Sequence, residues 1–316
     1  MSLGLTALTC PQCGGALPRQ ALWRMVACPY CQAQVTRSAQ VVLRAEFRAA
    51  LERVNARLCG PGPVLAVGGR RYRVLATLAR GAASDVLLAE RCGVVPERVT
   101  LKLAHGTLHA LAREAEVLRA LQALQGPGAA YFSQRLPQVV VFSRSGEPGH
   151  ERDALVLRQP VGFWGSLADV QRAHPQGLND ERHAVWIWRR LLEVLGYVHG
   201  AGWTHGDVSP EHALVHPGDH GVLLIGWSRA TQRGDTARDL MQSAWAIRSL
   251  LHGPADAEPA ISARIPSALA ELLHTASTDA RWCERLGAAG IDQALVAAAR
   301  AAFGPPQFIP FHPLRA

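Results

Sequence analysis

No apolar run in this chain of 316 residues approaches the roughly 18 residues that a membrane helix needs. A basic opening stretch is also missing: the first ten residues hold only scattered leucines, so no secretory leader is read there. Long Lys/Arg blocks are absent as well. The formal charge of +8 comes from 33 basic residues interspersed with 25 acidic ones. That pattern describes a solvated, arginine-rich surface more readily than a nucleic-acid track. Trp23, Arg24 and Tyr30 alone supply an aromatic-basic mixture near the N-terminus. Cysteine does not follow the even spacing of a secreted disulfide framework, and the expected setting is the cytoplasm with thiols reduced. There is no internal repeat. What remains is 48% hydrophobic, enough to bury one large core or two smaller ones beside an appendage.

Four of the seven cysteines form two close pairs, Cys10-Pro11-Gln12-Cys13 and Cys28-Pro29-Tyr30-Cys31, with fourteen residues between them. Two Cys-x-x-Cys knuckles suit tetrahedral Zn²⁺, and Gly14-Gly15 allows the first to turn tightly. The competing readings are a redox dithiol and unrelated thiols; the matched knuckles favour zinc. With all four ligand positions filled by Cys the zinc is expected to be structural, and it would supply folding energy that so short a segment cannot provide alone. Leu22–Ala27 and Gln32–Thr36 are read as the flanking strands. Cys59, Cys92 and Cys283 are isolated.

From Gln40 to Leu58, apolar residues recur at helical spacing until Gly60–Pro63 breaks the pattern. This helix is a spacer or a partner-docking surface. Strand-like stretches follow at Tyr72–Leu78, Val86–Glu90 and Val99–Leu103, with a glycine-containing turn, Ala79–Ser84, between the first two. Lys102 lies in the third strand. A helix face then runs through Leu108, Leu111, Ala115, Leu118 and Leu121 and carries Glu114. Pro137–Ser143 and Asp153–Leu157 complete five strands. Ser166–His174 and Asp180–Gly200 are read as helices, the second leading into Trp203–Gly226. There His205-Gly206-Asp207 opens a polar loop through His212, followed by strands Ala213–Val215 and Val222–Ile225. Asp239 begins another apolar-periodic helix. Pro266–Thr275 and Ala288–Phe303 read as helices separated by Thr278–Gly287, and a proline-rich tail closes the chain.

This order of elements resembles the protein-kinase superfamily, over roughly residues 71–290. The turn at Gly81 is similar to the glycine-rich loop, Lys102 and Glu114 to the nucleotide-clamping pair, and His205-Gly206-Asp207 to the His-X-Asp triplet. Asp239 matches the buried carboxylate that anchors the catalytic loop. A lysine on a strand or a glutamate on a helix is ordinarily solvated; it is the ordered set that favours the functional reading. His205-Gly206-Asp207, Leu224–Trp227 and Gly234–Leu240 also resemble the aminoglycoside/choline phosphotransferase branch. The resemblance implies an α+β, bilobal fold: a zinc ribbon at 1–37, a helical spacer and Gly/Pro linker at 38–69, a five-stranded small lobe at 70–158, a reduced, mainly helical large lobe at 159–304 and an extended tail at 305–316. The tail is expected to pack across the large lobe, with service as a proline-rich ligand the alternative.

The departures from the family bear on function. His212 stands where the family has Asn, and Gly226 where it has a metal-binding Asp. Mg²⁺ prefers oxygen ligands; Gly226 offers none, and imidazole suits Zn²⁺ or Mn²⁺ better. Glu211 and Asp219 are the nearest spare carboxylates. Only ten residues separate Ser228 from Asp239, too few for an activation segment with a peptide-docking platform. These features imply a pseudokinase, with Asp207 a residual base, ATP binding weak or independent of Mg²⁺, and a protein partner. A zinc ribbon fused to a degenerate kinase resembles bacterial proteins found beside phosphatases and von Willebrand A-type proteins, which suggests the partner class. Two alternatives are an active Ser/Thr or small-molecule kinase with an unconventional metal site, and a nucleic-acid adaptor acting through Trp23 and Arg24.

Overall fold

The computed structural model describes residues 25–27, 32, 34–36, 62–81, 83–93, 96–105, 109–144, 152–252 and 265–313. The four paired cysteines and the expected spacer helix lie outside these residues. Strands β1 (Met25–Ala27) and β2 (Gln34–Thr36) pair antiparallel, Val26 opposite Val35, at the positions expected to flank the second cysteine pair.

The small lobe is built on a sheet of β3 (Val64–Val67), β4 (Arg70–Arg80), β5 (Ser84–Arg91), β6 (Glu97–Ala104), β7 (Val139–Ser143) and β8 (Ala154–Arg158), in the order β3-β4-β5-β6-β8-β7. It therefore has six strands, not five. Val64–Val67, expected in the Gly/Pro linker, pairs with Arg70–Arg73 across a turn at Gly68-Gly69. Four residues bounded by glycine and proline carry too short an alternation to be recognised alone; the neighbouring strand supplies their hydrogen bonds. The sheet curls until its edges approach, so a Cβ on Gly68 would lie 2.5 Å from Val141. Inside the curl Val67, Tyr72, Ala89, Val99, Leu101 and Val156 form a small core of their own. Period-2 alternation sends Thr100 and Lys102 to the opposite face, towards α1 (Ala110–Gln122). That helix buries Leu111, Ala115, Leu118 and Leu121 at spacings of three and four, and Glu114 shares the stripe.

After α2 (Ala129–Phe132) and the two outer strands, the chain crosses to a mainly helical lobe through β9 (Gly165–Ser166) and α3 (Leu167–Ala173), where Ser166 and Asp169 form a capping box. The lobe centres on α4 (Arg182–Gly200), whose Ile187, Trp188, Leu191, Leu195 and Val198 are fully buried. Trp188 meets the polar demand of its indole by donating to Ser243 Oγ at 3.0 Å. Strands β10 (Trp203–Thr204), β11 (Ala213–His216), β12 (Gly221–Leu224) and β13 (Thr231–Gln232) carry the polar loop and its exit. The last helices are α5 (Thr236–His252), α6 (Ser267–Thr278) and α7 (Ala280–Phe303). Helix α5 begins one turn before Asp239, and Thr278–Gly287, read as a separator, is largely helical. Asp279 caps it by accepting from the Trp282 N–H, and the break falls at Gly287, where φ is +60°.

The tail packs on the large lobe. Phe311 is buried, Phe308 stacks on His220 with centroids 4.3 Å apart, and a ring nitrogen of His174 meets the Pro313 carbonyl at 3.1 Å.

Candidate active site: an assembled clamp around a filled metal position

Lys102 and Glu114 meet. Nζ lies 2.7 and 2.8 Å from the two carboxylate oxygens, and Glu114 is 1% exposed. A buried carboxylate needs such a partner, because leaving it unpaired costs several kcal/mol. Glu114 also accepts the backbone N–H of Trp227 at 3.4 Å. Arg113, one residue earlier, donates to the Ala230 carbonyl at 3.2 Å and lies over the Trp203 ring. Helix α1 is thus tied to the large lobe on two sides of the clamp. Lys102 is the only lysine in the sequence; the other 32 of the 33 basic residues are arginines. Guanidinium and ammonium are not interchangeable where a compact point charge must sit at a buried carboxylate. That single exception was a signal available in the composition.

Gly81 lies at the tip of the β4–β5 hairpin, where its N–H donates to Ser84 O at 2.9 Å. The hairpin is tied to the end of β6 by a His105–Asp85 contact of 3.1 Å and by a bond from His105 N to Ala83 O. The glycine sits where the chain turns tightly: a Cβ there would lie 3.2 Å from Ser84 O.

The polar loop hangs from Asp239, which is fully buried. Its carboxylate accepts the N–H of His205 at 2.7 Å and of Gly206 at 2.8 Å, and a His199 ring nitrogen lies 3.0 Å away. His205 Nδ1 accepts from the Asp207 N–H, leaving Nε2–H to donate to Ile225 O at 2.9 Å. Its burial, the largest cause, holds the imidazole down at about 4, well below the usual histidine range, although the Asp239 charge pulls the other way. The ring packs edge-on against Trp227, centroids 4.5 Å apart. His205 and Asp239 are therefore structural anchors. Asp207 points free of this network, with 29% of its side chain exposed.

His212 and Gly226, the two positions where the resemblance would place metal ligands, lie against each other. His212 Nδ1 donates to the Asp207 carbonyl at 2.8 Å, which fixes the ring in place. Gly226 has φ +83°, and a Cβ built there would fall 2.5 Å from His212 Cδ2 and 2.6 Å from Nε2. The imidazole occupies the room that an Asp side chain at 226 would need. An oxygen-rich Mg²⁺ site does not fit this donor set. Among the described residues no group of three or more His, Cys, Asp or Glu is placed to hold a metal. Asp219 is excluded from compensating: it sits in the turn beyond His216 and Gly221, whereas Gly226 follows the far end of that ladder, on the order of 10 Å away at ~3.4 Å per residue. Glu211 is exposed in the short turn before β11.

Downstream, Thr231–Gln232 pairs with Trp203–Thr204, and α5 starts after only Arg233–Asp235. Between Gly226 and α5 the chain has only the nine residues Trp227 to Asp235. Sequence reading overlooked Arg113, His199, Trp227 and Arg229, whose roles exist only across the fold.

A bilobal arrangement with a Lys–Glu pair, a His-X-Asp loop and a buried Asp beneath it is a protein-kinase-like fold. Comparison with known proteins agrees. A profile of the Lipopolysaccharide kinase (Kdo/WaaP) family matches residues 98–243, just under half of the chain, from β6 to the middle of α5. The chain is 30% identical over 166 residues to the "Putative cyclin-dependent kinase F-2" of Oryza sativa subsp. japonica, covering 52% of this chain and 49% of that protein. It is 34% identical over 89 residues to the "Serine/threonine-protein kinase H1" of Homo sapiens, covering 27% and 20%. It thus spans at most about half the length of these relatives. Among solved structures, the BubR1 kinase domain aligns with a TM-score of 0.54 at 12% identity, covering 81% of this chain and 97% of that one. Vaccinia related kinase 3 aligns at 0.56 and 16%, covering 81% and 96%. Likeness at such identities concerns the fold alone, and the fold is that of the protein-kinase-like superfamily.

Proposed function

We propose that the chain is a pseudokinase: it binds ATP at most weakly or without Mg²⁺ and acts by engaging a protein partner, of the phosphatase or von Willebrand A type. The observation that carries this reading is the His212 ring filling the space beside Gly226. Phosphoryl transfer asks a protein for a phosphate clamp, metal ions to neutralise charge and a base near the acceptor. The clamp is assembled and Asp207 is available, but the metal position is taken. Retention of the only lysine at 102 supports a remaining phosphate contact. The four paired cysteines are proposed to hold one structural zinc in a ribbon that precedes the kinase-like lobes.

Calorimetry with ATP, with and without Mg²⁺ or Mn²⁺, on the full chain and on Lys102→Met tests the reading. Metal-independent binding lost in Lys102→Met, or no binding at all, agrees with it. Binding that metal strengthens and Lys102→Met abolishes would overturn it in favour of an active kinase. That second reading has one observation of its own, the partly exposed Asp207 carboxylate, with His212 Nδ1 at 3.7 Å and Arg229 Nε at 3.8 Å.

A further inference from the structure

The segment from Gly226 into the first turn of α5 carries Arg229, Arg233 and Arg238, with Asp235 among them and the buried Asp239 next in sequence. Each arginine is held at a defined place by its backbone. Arg229 lies so close to the loop that a Cβ on Gly206 would meet its carbonyl oxygen at 2.6 Å, and its Nε stands 3.8 Å from Asp207 Oδ2 with 67% of the side chain exposed. Ala230 is clasped by Arg113, and Thr231–Gln232 is paired with β10. Arg233 donates its N–H to Gly202 O at 2.9 Å and adopts φ +54°, a left-handed conformation that favours glycine. Arg238 N donates to Asp235 Oδ1, which occupies that carboxylate at the helix start. Among the described residues, neither the Arg233 nor the Arg238 side chain has an ion-pair partner, and both residues are exposed. A strained backbone carrying an unpaired cation, where glycine would be easier, marks a position held for its side chain.

We propose that this segment is a docking surface for an acidic stretch of a partner protein, which would lie along the arginines beside the Asp207 loop. The backbone that carries the cations is already pinned, so binding has only the arginine side chains left to order. A short peptide fits better than nucleic acid. Three arginines within ten residues match a few carboxylates in an extended chain, whereas nucleic-acid tracks of comparable strength use about 6–10 phosphate contacts. The triplet's middle residue, Gly206, brings no cation to the loop; Arg229 does so from across it. The inference deepens the partner-binding reading above by naming the surface and the chemistry of the partner. It is tested without nucleotide, so its failure would leave the metal-position argument standing.

The probe is a fluorescein-labelled peptide of eight glutamates, with an eight-glutamine peptide as the neutral control, titrated by fluorescence anisotropy against the full chain over a salt series. The expected result is binding of the acidic peptide only, weakened by salt, and weakened further by about tenfold in Arg233→Glu/Arg238→Glu. Arg281→Glu/Arg300→Glu, which alters net charge equally at two exposed positions of α7, is expected to change it less than twofold. Arg233→Gly suits the left-handed backbone, so it separates loss of the cation from loss of fold; it is expected to weaken binding while leaving the melting temperature unchanged or higher. Equal weakening by both charge-reversal pairs would overturn the proposal, as would equal binding of the neutral peptide. Displacement of the acidic peptide by single-stranded DNA at lower concentration than by unlabelled peptide would assign the surface to nucleic acid and overturn it too.

Discussion

Restoring an aspartate at position 226 is the sharpest test of the site, because the outcome depends on position 212. In Gly226→Asp the new side chain must share space with the His212 ring, since its Cβ alone would lie 2.5 Å from Cδ2. The ring must swing away, losing a 2.8 Å bond to Asp207 O, worth about 1 kcal/mol. The positive φ adds about 1 kcal/mol for a residue with a Cβ, and lost packing around the displaced ring about the same again. A total near 3 kcal/mol corresponds to a fall of roughly 5–10 °C in melting temperature for a domain of this size. His212→Asn shortens the side chain and clears the space while keeping a donor for Asp207 O. The double variant should therefore melt well above the value expected by adding the two single effects, with a coupling of about 1–2 kcal/mol. It should also gain Mg²⁺-dependent ATP binding that neither single variant shows. Thermal melts of the four proteins, with calorimetry on each, read both quantities. Effects that add to within about 0.5 kcal/mol would refute the claim that the ring fills the carboxylate's place.

Three further outcomes are expected. Lys102→Met leaves the buried Glu114 without its cation and should cost about 3 kcal/mol. Lys102→Met/Glu114→Met should be markedly more stable than Lys102→Met alone, and equal melting temperatures would contradict the burial of that carboxylate. Asp239→Asn turns an acceptor towards the N–H groups of His205 and Gly206 into one able to satisfy only part of them, and should cost about 2 kcal/mol; denaturant titration measures it, and an unchanged midpoint would count against the anchor. His205 is held neutral by burial, at about 4 against an ordinary 6.5, so its contribution is fully present above pH 6.5 and is lost as pH falls towards 4. Each pH unit in that window removes about 1.4 kcal/mol. His183, also near 4 chiefly through burial, acts in the same direction with a smaller effect because its ring is partly solvated. Melts between pH 7 and 4.5 should show at least one proton taken up on unfolding, and a flat profile would be inconsistent with a neutral buried His205.

Much of the fold was legible in the sequence because its signals are local. The alternation in β5 and β6, the three-and-four spacing on α1 and α4, and the short strands Ala213–Val215 and Val222–Ile225 each follow from backbone geometry over a few residues. The order Gly81, Lys102, Glu114, Asp207, Asp239 came instead from the family resemblance; the structure joins Lys102 to Glu114, and Asp239 to the N–H groups of His205 and Gly206. The strand at Val64–Val67 was missed because four residues acquire a strand's hydrogen bonds only from a neighbour. The helical turn after Asp279 was missed because a cap, Asp279 accepting from Trp282 N–H, outweighed the glycine that follows.

The sequence by itself determined which chemistry was at hand: a lone lysine, a glutamate on a helix, an aspartate in a loop, and no carboxylate at 226. It could show that two metal positions had changed but not that they had changed together. That decision belongs to tertiary structure. His212 and Gly226 are fourteen residues apart, and only the turn of β11 into β12 brings the ring onto the glycine. The same holds for Arg229 against Gly206 and for Arg113 over Trp203. Such contacts are set by how sheets and helices pack, and packing has no signature in any window short enough to read.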